Sequence, residues 1–190
     1  PGCLVLDLGS TKAAIVQAMR DLPAHVRAIG AHPMCGKETS GFEAAERALF
    51  RGARFVLTPL ERTDETAMRL ALALVRAVGA YPLLMAAERH DVLVAAVSHL
   101  PYLASVGLVA VAEEVGREDQ EVWDLAASGF RDATRLAASE VRMMSDILAT
   151  NRRSVLRMMR LMRERLENLE TLIASGDEAG LQEILDALCT

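Results

Sequence analysis

The chain has 190 residues, of which 52% are hydrophobic and 25% are charged, so it can bury a substantial core and is not a disordered protein. Its net charge of -5 argues against a general nucleic-acid-binding protein, because no excess of basic residues is available to displace counterions from phosphates. The three cysteines form an odd set at irregular spacing. They fit neither a disulfide framework nor a zinc site, and they predict a reducing, cytoplasmic location.

The first residues predict one strand followed by one helix. Residues 3–7 form an apolar run, and a Gly-Ser turn then leads into a helix that extends to about residue 21. Ser10 or Thr11 is expected to cap that helix. A buried strand so close to the first residue has no earlier strand to pair with. We therefore expect the chain to lack the beginning of its sheet.

The following elements repeat this alternation. Strands are predicted at residues 25–29, 53–58 and 81–85, a short helix at 41–49 and an amphipathic helix at 64–78. Strands that alternate with helices indicate an α/β sheet. Past residue 85 no strand pattern occurs. We therefore expect residues 1–85 and residues 86–190 to form separate domains, the second of them all-α.

One histidine stands at the predicted edge of the sheet. His32 follows the apolar run 25–29 and belongs to the motif GAHPMCGKETSG at residues 30–41. Open α/β sheets bind ligands where their strands end, and an imidazole can exchange a proton near neutral pH. This position makes His32 a candidate for acid–base chemistry. A packing or capping histidine in an ordinary turn is the alternative interpretation.

The helical half begins with the most ambiguous stretch. Residues 92–112 carry no formal charge and are long enough to cross a bilayer. Ser98, His99 and Pro101 interrupt the stretch, so the central helix of an all-α domain is the favoured interpretation. The proline predicts a kink. Residues 98–101 would then form a polar notch in the wall of a pocket.

Further helices are predicted at residues 120–127, 140–149, 152–174 and up to residue 188. Arg131 and Arg135 lie one helical turn apart and could bind one anion, although a solvated Arg-Asp-Arg ladder explains the pattern equally well. The helix at 152–174 has apolar residues at alternating steps of four and three, which suits packing against another helix. Such long apolar helices in a small domain predict a homodimer.

Four separated motifs occur along the chain: DLGSTK at 7–12, GAHPMCGKETSG at 30–41, SHLP at 98–101 and SGFRDATRLAAS at 128–139. In this order they resemble the prephenate dehydrogenase family, over essentially all of the chain. The resemblance implies the C-terminal part of a Rossmann-like dinucleotide-binding domain followed by a helical dimerisation domain. No GxGxxG motif occurs in the chain. The resemblance therefore also implies that the first strands and their phosphate-binding loop are missing.

The activity that the resemblance implies is the NAD-dependent oxidative decarboxylation of prephenate to 4-hydroxyphenylpyruvate, in tyrosine biosynthesis. Two alternatives stay open, an arogenate dehydrogenase with the same mechanism and a non-catalytic dimerisation or tyrosine-sensing fragment. A cationic Arg131 near the end of the substrate where arogenate carries its ammonium group favours prephenate. Without the phosphate loop, the fragment by itself is expected to be inactive. Tyrosine binding in the same pocket, as product or inhibitor, is compatible with either kind of protein.

The resemblance also assigns roles to individual residues. His32 matches the catalytic histidine that hydrogen-bonds the substrate hydroxyl, and Ser10 matches the catalytic serine between the hydroxyl and the nicotinamide. Cofactor contacts are expected from the end of the first strand, namely Asp7, Gly9 and Ser10. Substrate contacts are expected from the helical half, namely Arg135 on the ring carboxylate, His99 and Arg131 at the side-chain end, and Gly129. An ionic network at the pocket mouth is expected from Glu38 and Asp132, and no metal is expected.

Overall fold

A computed structural model, which describes residues 2–36 and 41–188, shows a mixed sheet followed by a helical part. The sheet part contains, in chain order, β1 Leu4–Asp7, α1 Ala13–Met19, β2 Arg27–Pro33, β3 Arg54–Pro59, α2 Glu65–Ala77 and β4 Tyr81–Leu84. The helical part contains α3 Ala87–Val94, α4 Leu100–Glu118, α5 Ser128–Thr134, α6 Val141–Thr150, α7 Arg152–Ser175 and α8 Glu178–Leu188. Single-turn 3-10 segments lie at Phe42–Ala44, Gln120–Trp123 and Arg135–Ala138. The predicted fold class, α/β followed by all-α, is confirmed.

The sheet has the strand order β1-β2-β3-β4. β1 is parallel to β2 and β3 is parallel to β4, whereas β2 and β3 run antiparallel. A strand that ran parallel to β2 would need a connection of a dozen or more residues, usually containing a helix, whereas the antiparallel β3 needs no such helix. The helix predicted at residues 41–49 is wrong, since the described residues there form only the 3-10 turn Phe42–Ala44. Those side chains are mostly exposed, and a short helix without packing is unstable.

β2 is longer than predicted, and this difference places the histidine of the GAHP motif. The strand extends to Pro33 rather than ending at residue 29, so His32 lies within it and not in the loop beyond it. Side chains alternate along a strand. Ile29 and Ala31 pack toward α2, while Ala28 packs toward α1 and α3. His32 shares the face of Ala28 and therefore points toward α1 and α3.

The strand predicted at residues 25–29 stops before Gly30, yet this glycine lies in the middle of β2. A Cβ atom at this position would come within 2.3 Å of Thr58 Oγ1 and 3.0 Å of Val16 Cγ2. Thr58 is its partner across the β2–β3 pair, and Val16 belongs to α1. The glycine is required because helix and strand both approach this backbone closely. Its role is in packing, which the local sequence does not reveal.

The start of α1 also differs from the prediction. Neither Ser10 nor Thr11 caps the helix, because α1 begins at Ala13 without a side-chain cap from its own turn. The backbone N–H groups of Lys12 and Ala13 donate instead to the two carboxylate oxygens of Asp91, at 2.7 Å and 2.9 Å. Asp91 belongs to α3. A side chain from the helical part thus satisfies the free N–H groups at this helix end.

The helical run from Ala87 to Glu118 is continuous, and by length and composition alone it could cross a membrane. Where the sequence predicts a kink at Pro101, the structure has a π-helical segment, Ala95–His99, between α3 and α4. A proline removes one backbone donor, and a π segment is one way to accommodate the interrupted ladder. The first part of this run packs against α1, β3 and α7.

Candidate functional site

The site is organised around a hydrogen-bonded row of three side chains. His32 Nδ1 lies 2.9 Å from His90 Nε2, and His90 Nδ1 lies 2.8 Å from Asp91 Oδ1. The two imidazole rings meet edge to face, with centroids 5.1 Å apart. His90 is 1% exposed and Asp91 is 3% exposed, whereas His32 is only partly buried. The row therefore runs from the interior to the end of β2, beside the end of the parallel strand β1.

The electrostatics of this row favour a neutral His32. Burial, together with the electrostatic effects of neighbouring His90 and Lys12, lowers the pKa of His32 to about 4. An imidazole with that pKa carries a free lone pair at neutral pH. Burial by itself raises the pKa of Asp91, but hydrogen bonds from His90 and from the backbone N–H groups of Ala13 and Lys12 outweigh it and hold that pKa below its usual range. Asp91 is therefore ionised.

Lys12 lies beside this row with its side chain fully buried. Its Nζ atom forms an ion pair with the carboxylate of Asp7, at the end of β1. Burial lowers the pKa of Lys12, while the hydrogen bond and charge of Asp7 act in the opposite direction. The other oxygen of Asp7 accepts the backbone N–H of Gly9 at 3.1 Å. Asp7 thus holds the turn that leads to Ser10.

The three predicted cofactor residues lie together in one cleft. Asp7, Gly9 and Ser10 line an open cleft of about 420 Å³ between the end of β1 and helix α6. The opposite wall is formed by α6 residues, including Met143, Asp146, Ile147 and Thr150. Thr11 and Thr150 connect the two walls through a hydroxyl–hydroxyl hydrogen bond of 2.9 Å. A ligand in this cleft would contact both the sheet part and the helical part.

His99, which is predicted to line the side-chain end of the pocket, has a buried side chain. It is 1% exposed, and its Nδ1 lies 3.4 Å from Asn151 Nδ2, which also donates to the backbone carbonyl of Asp91 at 2.6 Å. Burial lowers the pKa of His99 as well. Asn151 precedes α7 and so ties that helix to both α3 and the π segment. His99 therefore belongs to the network behind the row.

The remaining predicted residues lie on one segment of the helical part. Gly129, Arg131 and Asp132 belong to α5, Arg135 begins the following 3-10 segment, and all four are exposed. This segment packs on α4, where the backbone N–H of residue 137 donates to Ser105 Oγ at 2.9 Å. Ser105 lies six residues beyond His99, or about 9 Å along the helix.

Glu38, the remaining predicted member of the ionic network, lies outside the described residues.

Sequence reasoning missed the partners of His32. His90, Asp91, Lys12 and Asn151 carry most of the buried polar contacts at the site, and none of them was assigned a role. The signal available was an adjacent His-Asp pair in the first helix after the last strand. A pair of that kind is common on exposed helices, and only the fold shows that it faces His32.

Both parts of the chain match domains of known proteins. The model of the prephenate dehydrogenase nucleotide-binding domain matches residues 1–83, and the model of the prephenate dehydrogenase dimerization domain matches residues 86–187. Prephenate dehydrogenase of Bacillus subtilis is 36% identical over 154 residues, which cover 80% of this chain and 42% of that protein. Cyclohexadienyl dehydrogenase of Zymomonas mobilis is 34% identical over 178 residues, which cover 92% of this chain and 60% of that protein. The chain thus spans about half the length of these relatives.

Solved structures give the same result. Prephenate dehydrogenase from A. aeolicus, in complex with hydroxyphenyl propionate and NAD+, matches with a TM-score of 0.90 and 30% identity, over 97% of this chain and 64% of that one. Synechocystis arogenate dehydrogenase matches with a TM-score of 0.82 and 31% identity, over 97% of this chain and 66% of that one. The two domain models together match most of the sequence in the order expected from its motifs. The chain therefore belongs to the prephenate dehydrogenase family.

Proposed function

We propose that the protein is a prephenate dehydrogenase, which converts prephenate to 4-hydroxyphenylpyruvate by NAD-dependent oxidative decarboxylation. The observation that carries this proposal is His32, an imidazole with a pKa of about 4 at the end of a strand, backed by His90 and Asp91. A neutral imidazole held in this way is suited to accept a proton. Membership of the family supports a reaction in which that proton comes from a hydroxyl group of the substrate.

In the proposed reaction, His32 accepts the proton of the substrate hydroxyl group, while a hydride leaves the ring carbon that bears this hydroxyl. The ring carboxylate departs as carbon dioxide, and its bonding electrons enter the ring, which becomes an aromatic phenolate. The phenolate oxygen takes the proton back from His32 and becomes the hydroxyl group of 4-hydroxyphenylpyruvate. When bound, NAD supplies the hydride acceptor. Ser10 orients the hydroxyl through a hydrogen bond, since it follows the strand beside β2 and lines the cleft at its end. Correct alignment of these groups is itself a large part of the rate acceleration.

The substrate is a dianion, so the proposal also needs cationic partners. Arg135 is proposed to bind the ring carboxylate through a bidentate fork, which a lysine could not reproduce. Arg131, Gly129 and His99 are proposed to surround the side-chain end, and Asp132 with Glu38 to form the ionic network at the pocket mouth. Arg131 lies in α5 and Arg135 begins the 3-10 segment that follows it, and both are exposed, which supports a common anionic ligand for the two.

NAD is proposed as the cofactor. Asp7, Gly9 and Ser10 would hold its nicotinamide end, because they line one cleft at the carboxyl end of β1 and Gly9 has no side chain to fill it. An added Cβ atom at Gly9 would meet Asp7 Oδ1 at 3.3 Å, so this turn leaves little room for a larger residue. The residues present therefore fit the nicotinamide end of the cofactor.

We further propose that residues 86–190 form the substrate-binding and dimerisation domain of a homodimer, and that residues 1–85 belong to the dinucleotide-binding domain. Large apolar side chains stay exposed on the π segment, α4 and α7, including Val97 at 70%, Val111 at 66% and Ile173 at 66%. A second copy would cover such faces. Cys3 and Cys35 are free thiols, which supports the proposed cytoplasmic location.

The test is turnover of prephenate and of arogenate by the full-length protein with NAD+, followed through the absorbance of the reduced nicotinamide. We expect a higher kcat/KM with prephenate. His32→Asn should lower kcat by about 10²–10⁴-fold with little change in KM, because it removes the base and not the binding groups. Arg135→Gln should mainly raise KM. Near-normal turnover by His32→Asn would show that the proton acceptor is wrongly assigned.

Arogenate dehydrogenase is the second candidate, favoured by the similarity to the Synechocystis enzyme. A higher kcat/KM with arogenate than with prephenate would select it. If neither substrate turns over while tyrosine still binds, the protein is a non-catalytic tyrosine-sensing module and the proposed function is wrong.

A further inference from the structure

Two buried side chains stand in line behind His32, and the proposed reaction gives neither of them a role. His90 lies between His32 and Asp91, with nitrogen–nitrogen and nitrogen–oxygen distances of 2.9 Å and 2.8 Å. Both residues are almost completely buried. A buried polar row of this kind must satisfy its hydrogen bonds in one consistent direction. That direction can be worked out from its inner end.

The inner end is the Asp91 carboxylate, which accepts from the backbone N–H groups of Lys12 and Ala13. An ionised carboxylate can only accept, so His90 Nδ1 must donate to it. A neutral imidazole has one donor nitrogen and one acceptor nitrogen, so His90 Nε2 accepts. His32 Nδ1 must then donate. The lone pair of a neutral His32 is therefore on Nε2, which has no hydrogen-bond partner among the residues that the structure describes.

We propose that His90 and Asp91 are positioning residues that fix the tautomer of His32, so that Nε2 of His32 is the atom that accepts the substrate proton. This inference rests on the proposed function, because a defined lone pair matters only if His32 acts as a base. The hydrogen bond made by one ring nitrogen determines which form the other one takes. Asp91 thus sets the direction of the hydrogen bond between His90 and His32, a residue 58 positions earlier in the sequence.

Asp91 has a second connection that adds to this role. The same carboxylate holds the first N–H groups of α1, and the turn before that helix carries Ser10. One residue thus positions both groups that are proposed to contact the substrate hydroxyl. Its backbone carbonyl is held in turn by Asn151, at 2.6 Å. The ring of His32 and the turn of Ser10 therefore keep one relative orientation.

The first test measures the tautomer directly. The protein has four histidines, so ¹⁵N-histidine labelling gives a small set of ring signals, and the His32→Asn variant assigns those of His32. We expect the proton of His32 on Nδ1 in the wild-type protein at neutral pH. A proton on Nε2 of His32, or a doubly protonated His90 that donates to it, would overturn the inference. The tautomer is read from the spectrum of the wild-type protein, and the variant serves only to assign the signals of His32.

The second test reverses the direction of the hydrogen bonds in the row. Asp91 Oδ1 accepts from both Lys12 N–H and His90 Nδ1, and Oδ2 accepts from Ala13 N–H. In Asp91→Asn with the oxygen toward Ala13, the amide nitrogen takes the place of Oδ1, loses the bond from Lys12 and donates to His90 Nδ1, which puts the proton of His32 on Nε2. We expect kcat to fall on the order of 10²–10⁴-fold with KM changed less than about threefold, and the His32 proton to move to Nε2. The matched control is Asp64→Asn, which alters the carboxylate that caps α2 away from the row. Its kcat should equal the wild-type value.

The third test separates hydrogen bonding from packing. His90→Gln keeps an oxygen that can accept from His32, whereas His90→Leu fills similar space without an acceptor. We expect His90→Gln to retain much more of the wild-type kcat than His90→Leu. Circular dichroism should show that both variants are folded. Equal losses in the two variants, or an Asp91→Asn enzyme with kcat within about threefold of wild type, would refute the positioning role. If wild-type protein turns over no substrate, the proposed function fails, while the labelled spectra still decide whether the row sets the tautomer.

Discussion

The most direct prediction concerns the acid side of the pH–rate profile. His32 should act as a base, and burial together with the electrostatic effects of His90 and Lys12 lowers its pKa from 6.5 to about 4. At pH 5, a histidine with the ordinary pKa is only about 3% neutral, whereas one with a pKa near 4 is about 90% neutral. The full-length enzyme should therefore keep most of its kcat/KM at pH 5. An unshifted histidine would lose nearly all of it.

The assay is kcat/KM for prephenate between pH 4 and pH 8 at constant ionic strength, on wild type and on His32→Asn. The wild-type profile should fall with an apparent pKa near 4, and this limb should vanish from the residual activity of the variant. Titratable groups around His32 include His90, Lys12, His99 and Asp7, so the variant is needed to attribute the limb to His32. A limb near pH 6.5 that disappears in His32→Asn would refute the electrostatic reasoning.

The same shift predicts a pH dependence of stability. The unfolded chain binds a proton at His32 near pH 6.5, whereas the folded chain binds it only near pH 4. The contribution of His32 to the free energy of unfolding is therefore fully present above pH 6.5. It falls by about 3 kcal/mol as the pH decreases from 6.5 to 4. Urea unfolding at pH 7 and pH 4.5 should show a larger loss for wild type than for His32→Asn. Equal losses would contradict the shift.

Three further substitutions test the packing around the site by thermal unfolding. Gly30→Ala should destabilise the protein by about 1–3 kcal/mol, because its Cβ atom would overlap Thr58 and crowd Val16; an unchanged Tm would contradict this. Thr58→Val should raise stability by about 1 kcal/mol, or about 2–4 °C in Tm, because Thr58 Oγ1 is buried without a hydrogen-bond partner in the described part of the chain; a lower Tm would show that the hydroxyl is bonded. Arg62→Ala should cost about 2 kcal/mol, since its guanidinium donates to four backbone carbonyls between residues 20 and 26, just before β2. The exposed Arg69→Ala on α2 is its control, and equal effects in the two would contradict that role.

Much of the fold could be predicted because its signals are local. The apolar strands, the amphipathic α2 and the heptad-like α7 can each be predicted from one short window of the sequence, and the structure contains these strands and both helices. The motif order likewise indicated the family, which the domain models confirm. Local rules failed at Gly30, which the strand predicted at residues 25–29 does not include. A glycine required by packing and a glycine required by a turn look the same in a sequence.

The candidate site was predictable only in part, for a related reason. His32 could be recognised from its motif, but its hydrogen-bond partner lies 58 residues away on a helix of the other part of the chain. The cap of α1 shows the same limit, since Ser10 and Thr11 are good local candidates and Asp91 displaced both. Long-range polar contacts leave no periodic pattern in the sequence. They appear only when the elements are packed.

The amino-acid sequence by itself determined the alternation of strands and helices, the change to an all-helical second half and the motifs that identify the family, because each depends on neighbouring residues. The tertiary structure alone decided which face of β2 carries His32, what lies behind it and how the start of α1 is capped. The physical reason is that a buried charge or imidazole takes its protonation state from groups that packing brings near, and packing joins residues that are distant in the chain.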